Sequence, residues 1–303
     1  MSAIAPSRVQ ATRAYRRKLG DYEITALSDG FVDLSFGVWQ GIDAESFDAA
    51  LTDHFLPTGG FRNGITSFIV NTGSKIIMID AGAAGLFGPN SYHFPDNLAH
   101  AGITAADIDV VIPTHAHPDH VGALLKDGQP TLPNAEIRIN QTELDFWTSE
   151  AEQAKAPDFM RSWWDLVRGI DAAYAGRVSS FAAEASLGDG ITHMSFPGHT
   201  PGHSGYLIES AGEKLLIWGD LVVHHAIQFQ HPQASMIFDI DSAVGHQSRL
   251  RGLDMAATDK LLTAATHLPF PTFGYVARRG DGYHWVPETW RYDVSGLAWQ
   301  PVV

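Results

Sequence analysis

The sequence predicts a single domain of mixed α and β structure, of the α/β or α+β class. Short apolar runs typical of strands are separated by segments with helical patterning, within one continuous chain. No low-complexity tract, charge block or internal repeat marks a linker. With 303 residues, of which 45% are hydrophobic, the chain is long enough to bury a substantial core. These observations favour one domain over 21–303, preceded by a polar N-terminal arm over 1–20.

The first half of the chain contains several strand patterns and one short helix. Residues 21–29 alternate between apolar and polar side chains, which predicts a strand with one buried face. Residues 66–70 and 75–80 predict two further strands joined by a turn, and the second is apolar throughout, as in a strand covered on both faces. A helix is expected over about 96–102, because glycine commonly follows a helix C-terminus. Residues 108–113 predict the next buried strand.

The second half begins with helical patterning over 141–175, a segment rich in Trp and acidic residues. Strand patterns return at 191–196, 205–209 and 214–218. Strands on both sides of a helical segment are consistent with a single mixed domain.

The composition excludes several classes of function. The chain has 34 acidic and 20 basic residues, and its net charge of −14 has the wrong sign for binding nucleic acid. It has no cysteine, so any metal must be held by His, Asp or Glu. It lacks both the run of about 18 apolar residues that would span a membrane and the apolar core of a secretory signal. We therefore expect no nucleic-acid or membrane partner, and a cytoplasmic protein, or a periplasmic one if a signal has been removed.

The clearest chemical signal is a cluster of metal-ligand residues directly after a predicted buried strand. Residues 114–120 read THAHPDH and supply His115, His117, Asp119 and His120. A sharp loop can direct the first two histidines to one side and the last two ligands to the other, which suits two metal ions. A polar surface loop is the competing interpretation, and the string H-x-H-x-D-H at a strand end argues against it.

A second histidine motif, PGHTPGH, occupies 197–203 and follows another strand-like run. Its glycines allow the backbone to approach an ion closely. We predict His199 as a metal ligand. His203 is either a hydrogen-bond partner that supports a ligand or an ordinary buried histidine.

Two single residues at strand ends would complete a site for two metals. Asp220 and His267 each follow an apolar run. Taken alone, such an Asp is most often a turn residue and such a His is most often structural. Beside the two histidine motifs, however, a two-metal site needs a bridging carboxylate and one more imidazole. Asp80 also ends a buried strand, and we expect it to hydrogen-bond the ligand loop without touching metal.

These motifs resemble those of the metallo-β-lactamase superfamily, over about 22–267. The resemblance implies an α+β fold, an αββα sandwich of two mixed β-sheets flanked by helices, with the metals at one edge. It also implies two divalent metal ions per chain. The implied ligands of the first ion are His115, His117 and His199, and those of the second are Asp119, His120 and His267, with Asp220 as the bridge.

Within the superfamily, the chain is most similar to the methyl parathion hydrolase-like branch, which includes phosphotriesterases and lactonases. The similarity rests on LSDG at 27–30, GDLV at 219–222, FD at 238–239 and THLPFP at 266–271. True β-lactamases carry Cys or Ser where this chain has Asp220, and compact N-acyl homoserine lactone lactonases carry Tyr where it has Val223. Type II glyoxalases share the histidine motifs but add a basic C-terminal part that we do not find.

The resemblance implies hydrolysis by a hydroxide shared between the two metal ions, which attacks a carbonyl carbon or a phosphorus atom. Zinc is the expected metal, with manganese, cobalt or iron as alternatives. Asp119 and Asp220 are the expected catalytic carboxylates. The expected substrate is a neutral lactone, such as an N-acyl homoserine lactone, or an aryl ester, with phosphotriesterase activity beside it.

Three alternative functions stay open at this point. They are an organophosphate hydrolase, a type II glyoxalase-like thioesterase and a non-hydrolytic metal-binding protein. The residues expected to line an apolar substrate pocket are Trp147, Trp164, Val223 and Phe238. A homodimer is compatible with the sequence.

Overall fold

The computed structural model describes residues 10, 13–91, 93–292, 294 and 295. Its strands, in chain order, are β1 (Ala14–Leu19), β2 (Tyr22–Ser35), β3 (Trp39–Gln40), β4 (Gly60–Asn71), β5 (Ile76–Ile79), β6 (Val110–Ile112), β7 (Leu125–Lys126), β8 (Gln129–Pro130), β9 (Glu136–Asn140), β10 (Val178–Phe181), β11 (Ser186–Gly188), β12 (Ile191–Ser195), β13 (Ser204–Ser210), β14 (Glu213–Ile217), β15 (Ser235–Met236), β16 (Leu262–Ala264), β17 (Gly274–Arg279) and β18 (Gly282–Pro287). Its α-helices are α1 (Ala44–Asp53), α2 (Phe94–His100), α3 (Pro118–Val121), α4 (Gln141–Thr148), α5 (Glu150–Lys155), α6 (Arg161–Ala173) and α7 (Ser242–Thr258).

Two seven-stranded sheets form the centre of the fold. The first has the strand order β1-β2-β4-β5-β6-β9-β10, and the second has the order β11-β12-β13-β14-β16-β17-β18. Both sheets are mixed, because β5, β6, β9 and β10 pair in parallel in the first sheet and β14 pairs in parallel with β16 in the second. Helices cover the outer faces. This arrangement confirms the predicted αββα sandwich.

Side chains that alternate along a strand supply two different cores. On β4, Phe68 packs with Tyr206 and Ile217 of the second sheet in the core between the sheets. Its neighbour Ile69 belongs instead to the core beneath helices α2, α4 and α6. Helix α7 packs on the outside of the second sheet. Strands covered on both faces account for the unbroken apolar run of β5.

The N-terminal segment differs from the predicted arm where the structure describes it. Ala14–Leu19 forms strand β1, which pairs antiparallel with β2. Arg17 on this strand is buried and forms an ion pair with Glu288, at 3.1 Å between Nε and Oε2. A polar segment therefore becomes part of the sheet because its buried charge finds a partner from the far end of the chain. Residues 1–9, 11 and 12 of the predicted arm lie outside the described residues.

Helix α7 has no clear signal in the sequence, for a physical reason. Its buried side includes Gly245, Ser248, Arg249 and Gly252, so the helix lacks the apolar stripe that usually predicts an amphipathic helix. The helix packs closely at two of its glycines: a Cβ atom at 252 would lie 2.3 Å from the Leu221 side chain, and a Cβ atom at Gly198 would lie 2.0 Å from the backbone nitrogen of Gly245. Across the described part of the chain, no helix is both long enough and apolar enough to cross a membrane.

The ends of strands from both sheets meet at one edge of the sandwich. Parallel strands β5 and β6 of the first sheet are followed by Asp80 and by the segment that begins at Thr114. Parallel strands β14 and β16 of the second sheet are followed by Asp220 and His267. Because parallel strands end at the same side of a sheet, the polar residues that follow them are brought together.

Candidate metal centre

The segment after β6 presents four polar side chains within one short turn. Pro118 occupies the first position of α3, which suits its fixed φ angle, and starts a helix of four residues. This turn separates His115 and His117, which precede the helix, from Asp119 and His120, which lie within it. The structure therefore divides the four side chains into two pairs, each of which meets residues from the second sheet.

The first group of ligand atoms comes from three histidines, which we call the three-histidine site. His115, His117 and His199 place one ring nitrogen each within 4.8 Å of one another, and all three side chains are buried. Nδ1 of His117 lies 3.0 Å from Nε2 of His199. Two imidazole nitrogens this close can bind the same cation when both lone pairs are free.

The second group, which we call the mixed site, combines a carboxylate with two histidines. Asp119, His120 and His267 again place ligand atoms within 4.8 Å of one another. Asp220 lies between the two sites. Its Oδ1 is 3.3 Å from Nε2 of His120, and its Oδ2 is 3.1 Å from Nε2 of His267 and 3.3 Å from Nε2 of His199. The carboxylate of Asp220 thus contacts ligands of both sites.

Asp80 and His203 support the ligands from behind. Asp80 is fully buried and accepts hydrogen bonds from Nδ1 of His120 at 2.8 Å and from the backbone N–H of Thr114 at 2.7 Å. Burial lowers the pKa of His203 to about 3. Its ring is therefore neutral, with Nδ1 donating to the Phe196 carbonyl and Nε2 accepting from the backbone N–H of Asp220. Neither residue belongs to the two ligand groups.

Two further acceptors orient histidine ligands and carry no local signal in the sequence. Nδ1 of His199 donates to Asp239 at 2.6 Å, and Nδ1 of His267 donates to the carbonyl of Gly64 at 2.6 Å. With Nδ1 protonated, each ring leaves the lone pair of Nε2 free for a metal. The FD segment at 238–239 is one of the features that resemble the methyl parathion hydrolase-like branch, but the sequence alone does not connect Asp239 with His199.

Glu143 is another residue of this region that the sequence does not single out. It is the third residue of α4, three residues after the capping residue Asn140, and Glu is typical of this position at a helix start. The side chain is fully buried and contacts the loops of both histidine motifs.

The pKa values of the histidines differ between the two sites. Burial lowers the pKa of His115 and His117 well below the usual value. Burial acts in the same direction on His120 and His267, but the nearby carboxylates, chiefly Asp220, outweigh it. The pKa of His120 therefore lies well above its usual value and that of His267 is raised to about 10.

The donor set fits two divalent cations. Nε2 of His115 is buried without a hydrogen-bond partner among the described residues, and the buried Nε2 of His120 and Oδ1 of Asp220 have only their mutual contact at 3.3 Å. Such atoms are costly to bury unless something binds them. The carboxylates in or beside the two sites are Asp80, Asp119, Glu143, Asp220 and Asp239. The buried guanidinium of Arg249, near Asp239 and Asp220, offsets part of this negative charge, and bound divalent cations would offset more of it.

A narrow crevice of about 60 Å³ opens onto both sites. Its wall includes two of the four predicted pocket residues, Val223 and Phe238. The other two predictions need correction, because Trp147 and Trp164 are fully buried in the core beneath the helices and do not line the crevice. Trp163 lines it instead. The remaining lining residues are Val32, Leu34, Asn63, Phe87, His117, Asp119, His199, Asp220, Met236 and His267.

A larger groove of about 840 Å³ adjoins the crevice, and the two share Leu34 and His267. His224 and His225 line this groove, and burial lowers their pKa values to about 3 and about 4. Both rings are therefore neutral near pH 7. Arg62 at the edge of the groove is paired with Asp33, at 2.8 Å between Nε and Oδ1.

Comparison with known proteins agrees with this geometry. The family model described as the metallo-beta-lactamase superfamily matches residues 60–267. No curated protein matches the chain.

Several solved structures are similar to the chain over most of its length. A hydrolase named AbOPH, described as in the beta lactamase superfamily, is 31% identical, with a TM-score of 0.87 over 93% of this chain and 100% of that one. AidC, described as a dizinc quorum-quenching lactonase, is 26% identical, with a TM-score of 0.85 over 92% of this chain and 98% of that one. A probable metal-dependent hydrolase from Staphylococcus aureus shares the fold at 21% identity, with a TM-score of 0.72 over 90% of this chain and 99% of that one.

The first prediction concerns metal content. The wild-type protein should hold two divalent ions per chain, and His115→Ala should hold fewer, because it removes a ligand of the three-histidine site. His193→Ala is the matched control, since His193 is equally buried but hydrogen-bonds Ser204 and lies in neither site. Elemental analysis of metal-replete samples measures this. Two retained ions in His115→Ala, or no more than one in the wild type, would contradict the assignment.

The second prediction compares Asp220 with Asp80. Asp220→Ala removes the carboxylate between the two sites, so we expect loss of at least one ion and a fall in hydrolysis by orders of magnitude. Asp80→Asn leaves every candidate ligand in place and changes only the group that accepts hydrogen bonds from His120, Thr114 and Thr266, so we expect both ions to bind with affinity reduced about 10- to 100-fold. Metal titration and rate measurement on the same preparations test this. Small and equal effects would make Asp220 a turn residue.

Proposed function

Because the chain belongs to the metallo-β-lactamase superfamily, we propose that it is a dinuclear metal-dependent hydrolase of small neutral esters, with lactones as its main substrates. The observation that carries this proposal is the crevice, which joins both ligand groups to walls formed by Trp163, Phe238 and Val223. Of the residues that line it, none is Lys or Arg.

Neutral substrates fit this surface better than anions. Apart from the proposed metal ions, the crevice offers no Lys or Arg side chain to an anionic substrate, and in the adjoining groove Arg62 is already paired with Asp33. The net charge of −14 repels anions at longer range. A neutral polar group is available in Asn63, which is buried and has an Oδ1 atom without a hydrogen-bond partner. This oxygen can accept a hydrogen bond from the N–H of a neutral amide group.

The two ligand groups would each hold one divalent cation, with Asp220 between them. When bound, such cations supply Lewis acidity and lower the pKa of water enough to make a nucleophile at neutral pH. The side chain of Asp119 is 16% exposed and that of Asp220 is 5% exposed. Since Asp119 is the more accessible carboxylate, we assign to its oxygens the transfer of a proton between the attacking water and the leaving alkoxide.

The unequal cavities suggest how a substrate with one short and one long arm would lie. The crevice of about 60 Å³ has room for little more than the reacting group. The groove of about 840 Å³ can hold a long apolar tail along Leu56, Phe61 and Pro269. An N-acyl homoserine lactone has this shape, with a small ring and a longer acyl chain. Its tail would occupy the groove, away from Trp147 and Trp164.

Within the superfamily, we assign the chain to the methyl parathion hydrolase-like branch. The residues at 27–30, 219–222 and 266–271 support this assignment, and so does the 26% identity to a protein described as a lactonase. A neutral phosphotriester with an aromatic leaving group could use the same apolar walls, so we expect phosphotriesterase activity as a lesser activity. A glutathione thioester is disfavoured because its carboxylates would find no free cation in the crevice.

The third prediction concerns substrate class. On one metal-replete preparation, kcat/KM should be highest for lactones or aryl esters, measurable for a neutral phosphotriester, and low for a β-lactam and for a glutathione thioester. The physical reason is the absence of a cationic partner for anionic groups. If the thioester or the β-lactam is hydrolysed fastest, the substrate assignment is wrong even though the metal centre stands.

The fourth prediction tests the groove. Leu56→Trp should narrow it, so kcat/KM for an N-decanoyl lactone should fall at least about tenfold relative to that for an N-butanoyl lactone, since each buried methylene contributes about 0.8 kcal/mol. Phe55→Trp is the matched control, because Phe55 is 98% exposed and does not line the groove. Equal losses for both chain lengths would place the tail elsewhere.

A further inference from the structure

Glu143 is a buried carboxylate that belongs to neither ligand group but contacts the loops of both histidine motifs. One oxygen, Oε1, accepts hydrogen bonds from the backbone N–H of Ala116 at 2.9 Å and from the indole of Trp147 at 2.7 Å. The other, Oε2, accepts from the hydroxyl of Thr200 at 2.7 Å and from the backbone N–H of Gly202 at 2.9 Å. Each carboxylate oxygen of Glu143 therefore accepts two hydrogen bonds.

These contacts reach the backbone beside all three ligands of the three-histidine site. Ala116 lies between His115 and His117, and Thr200 directly follows His199. The two loops follow β6 of the first sheet and β12 of the second. A single side chain therefore joins the two segments whose separation sets the distance between these imidazoles.

Close packing keeps Glu143 in place. At Gly202, a Cβ atom would lie 2.3 Å from the backbone nitrogen of Glu143, so the loop lies directly against the first turn of α4. That turn is capped by Asn140, whose side chain accepts from the backbone N–H groups of Thr142 and Glu143. The carboxylate is thus held on a capped helix end.

We propose that Glu143 is a positioning residue for the three-histidine site, where its ionised carboxylate sets the spacing of the two histidine loops. All four of its partners are hydrogen-bond donors, and an ionised carboxylate is purely an acceptor. Gln has nearly the same shape, but in either orientation its amide nitrogen would face a backbone N–H, that of Ala116 or that of Gly202, so one loop would lose that hydrogen bond. The proposal uses the metal centre of the proposed function and does not depend on the substrate.

The experiment measures metal affinity in the absence of substrate. Metal-free wild type, Glu143→Gln and Glu152→Gln are titrated with Zn²⁺ against a chromophoric chelator, which yields two stepwise constants for each protein. Glu152→Gln is the matched control because it makes the same chemical change on the neighbouring helix α5. There the carboxylate of Glu152 pairs only with Lys155 among the described residues. In Glu143→Gln one constant should weaken about 10- to 100-fold while the other stays near the wild-type value.

His115→Ala identifies which constant belongs to the three-histidine site, and that constant should be the weakened one. Unchanged constants in Glu143→Gln would overturn the proposal. Equal weakening of both constants would also overturn it, since that result indicates a general structural role. If the wild type itself binds fewer than two ions, the metal centre of the proposed function fails first.

A second variant decides the matter if Glu143→Gln does not fold. Thr200→Val removes one donor to Oε2 without introducing a new one. It should weaken the same constant by a smaller factor and leave the other near the wild-type value. Wild-type affinity at both sites in Thr200→Val would then overturn the proposal.

Discussion

The carboxylate of Asp80 is the contact on which the shape of the metal centre depends. It lies at the end of β5 and accepts hydrogen bonds from Thr114, from Nδ1 of His120 and from the hydroxyl of Thr266. Thr114 begins the ligand loop of the first sheet, whereas Thr266 directly precedes His267 of the second. The buried carboxylate of Asp80 therefore connects ligand-bearing segments of both sheets. The φ angle of Asp80 is 59°, which is uncommon for any residue but glycine, and Asp is among the residues that tolerate it best.

Two other imidazoles are also oriented by hydrogen-bond acceptors, which lie on the side away from the crevice. Asp239 holds His199, and the carbonyl of Gly64 holds His267. Residues on the crevice side make none of these hydrogen bonds, although Trp163 packs against the ring of His117 with 4.9 Å between ring centroids. In the proposed function, the strand ends would hold the metal ions and the crevice walls would select the substrate, a division that lets one fold serve several reactions.

The residues of the candidate metal centre could be brought together from sequence because each follows a recognisable apolar strand, and five of them belong to the two short histidine motifs. Glu143 and Asp239 could not, since each contacts a histidine loop far away in the sequence. Trp163 and Trp164 show a different limit. They are adjacent on α6, so they point about 100° apart around the helix axis, and only the packing of α6 decides that Trp164 enters the core while Trp163 reaches the crevice. The groove could not be predicted from sequence either, because its walls come from loops that are distant along the chain.

The supply of ligands by both halves of the chain has a consequence for dissection of the protein. The segment between β10 and β11, at 182–185, separates the first sheet from the second along the chain. A fragment that ends there keeps His117 and His120 but lacks His199, Asp220 and His267. The complementary fragment keeps only the latter three. Neither fragment alone contains all ligands of either site. Tight metal binding by a mixture of the two fragments would therefore show that they have reassembled.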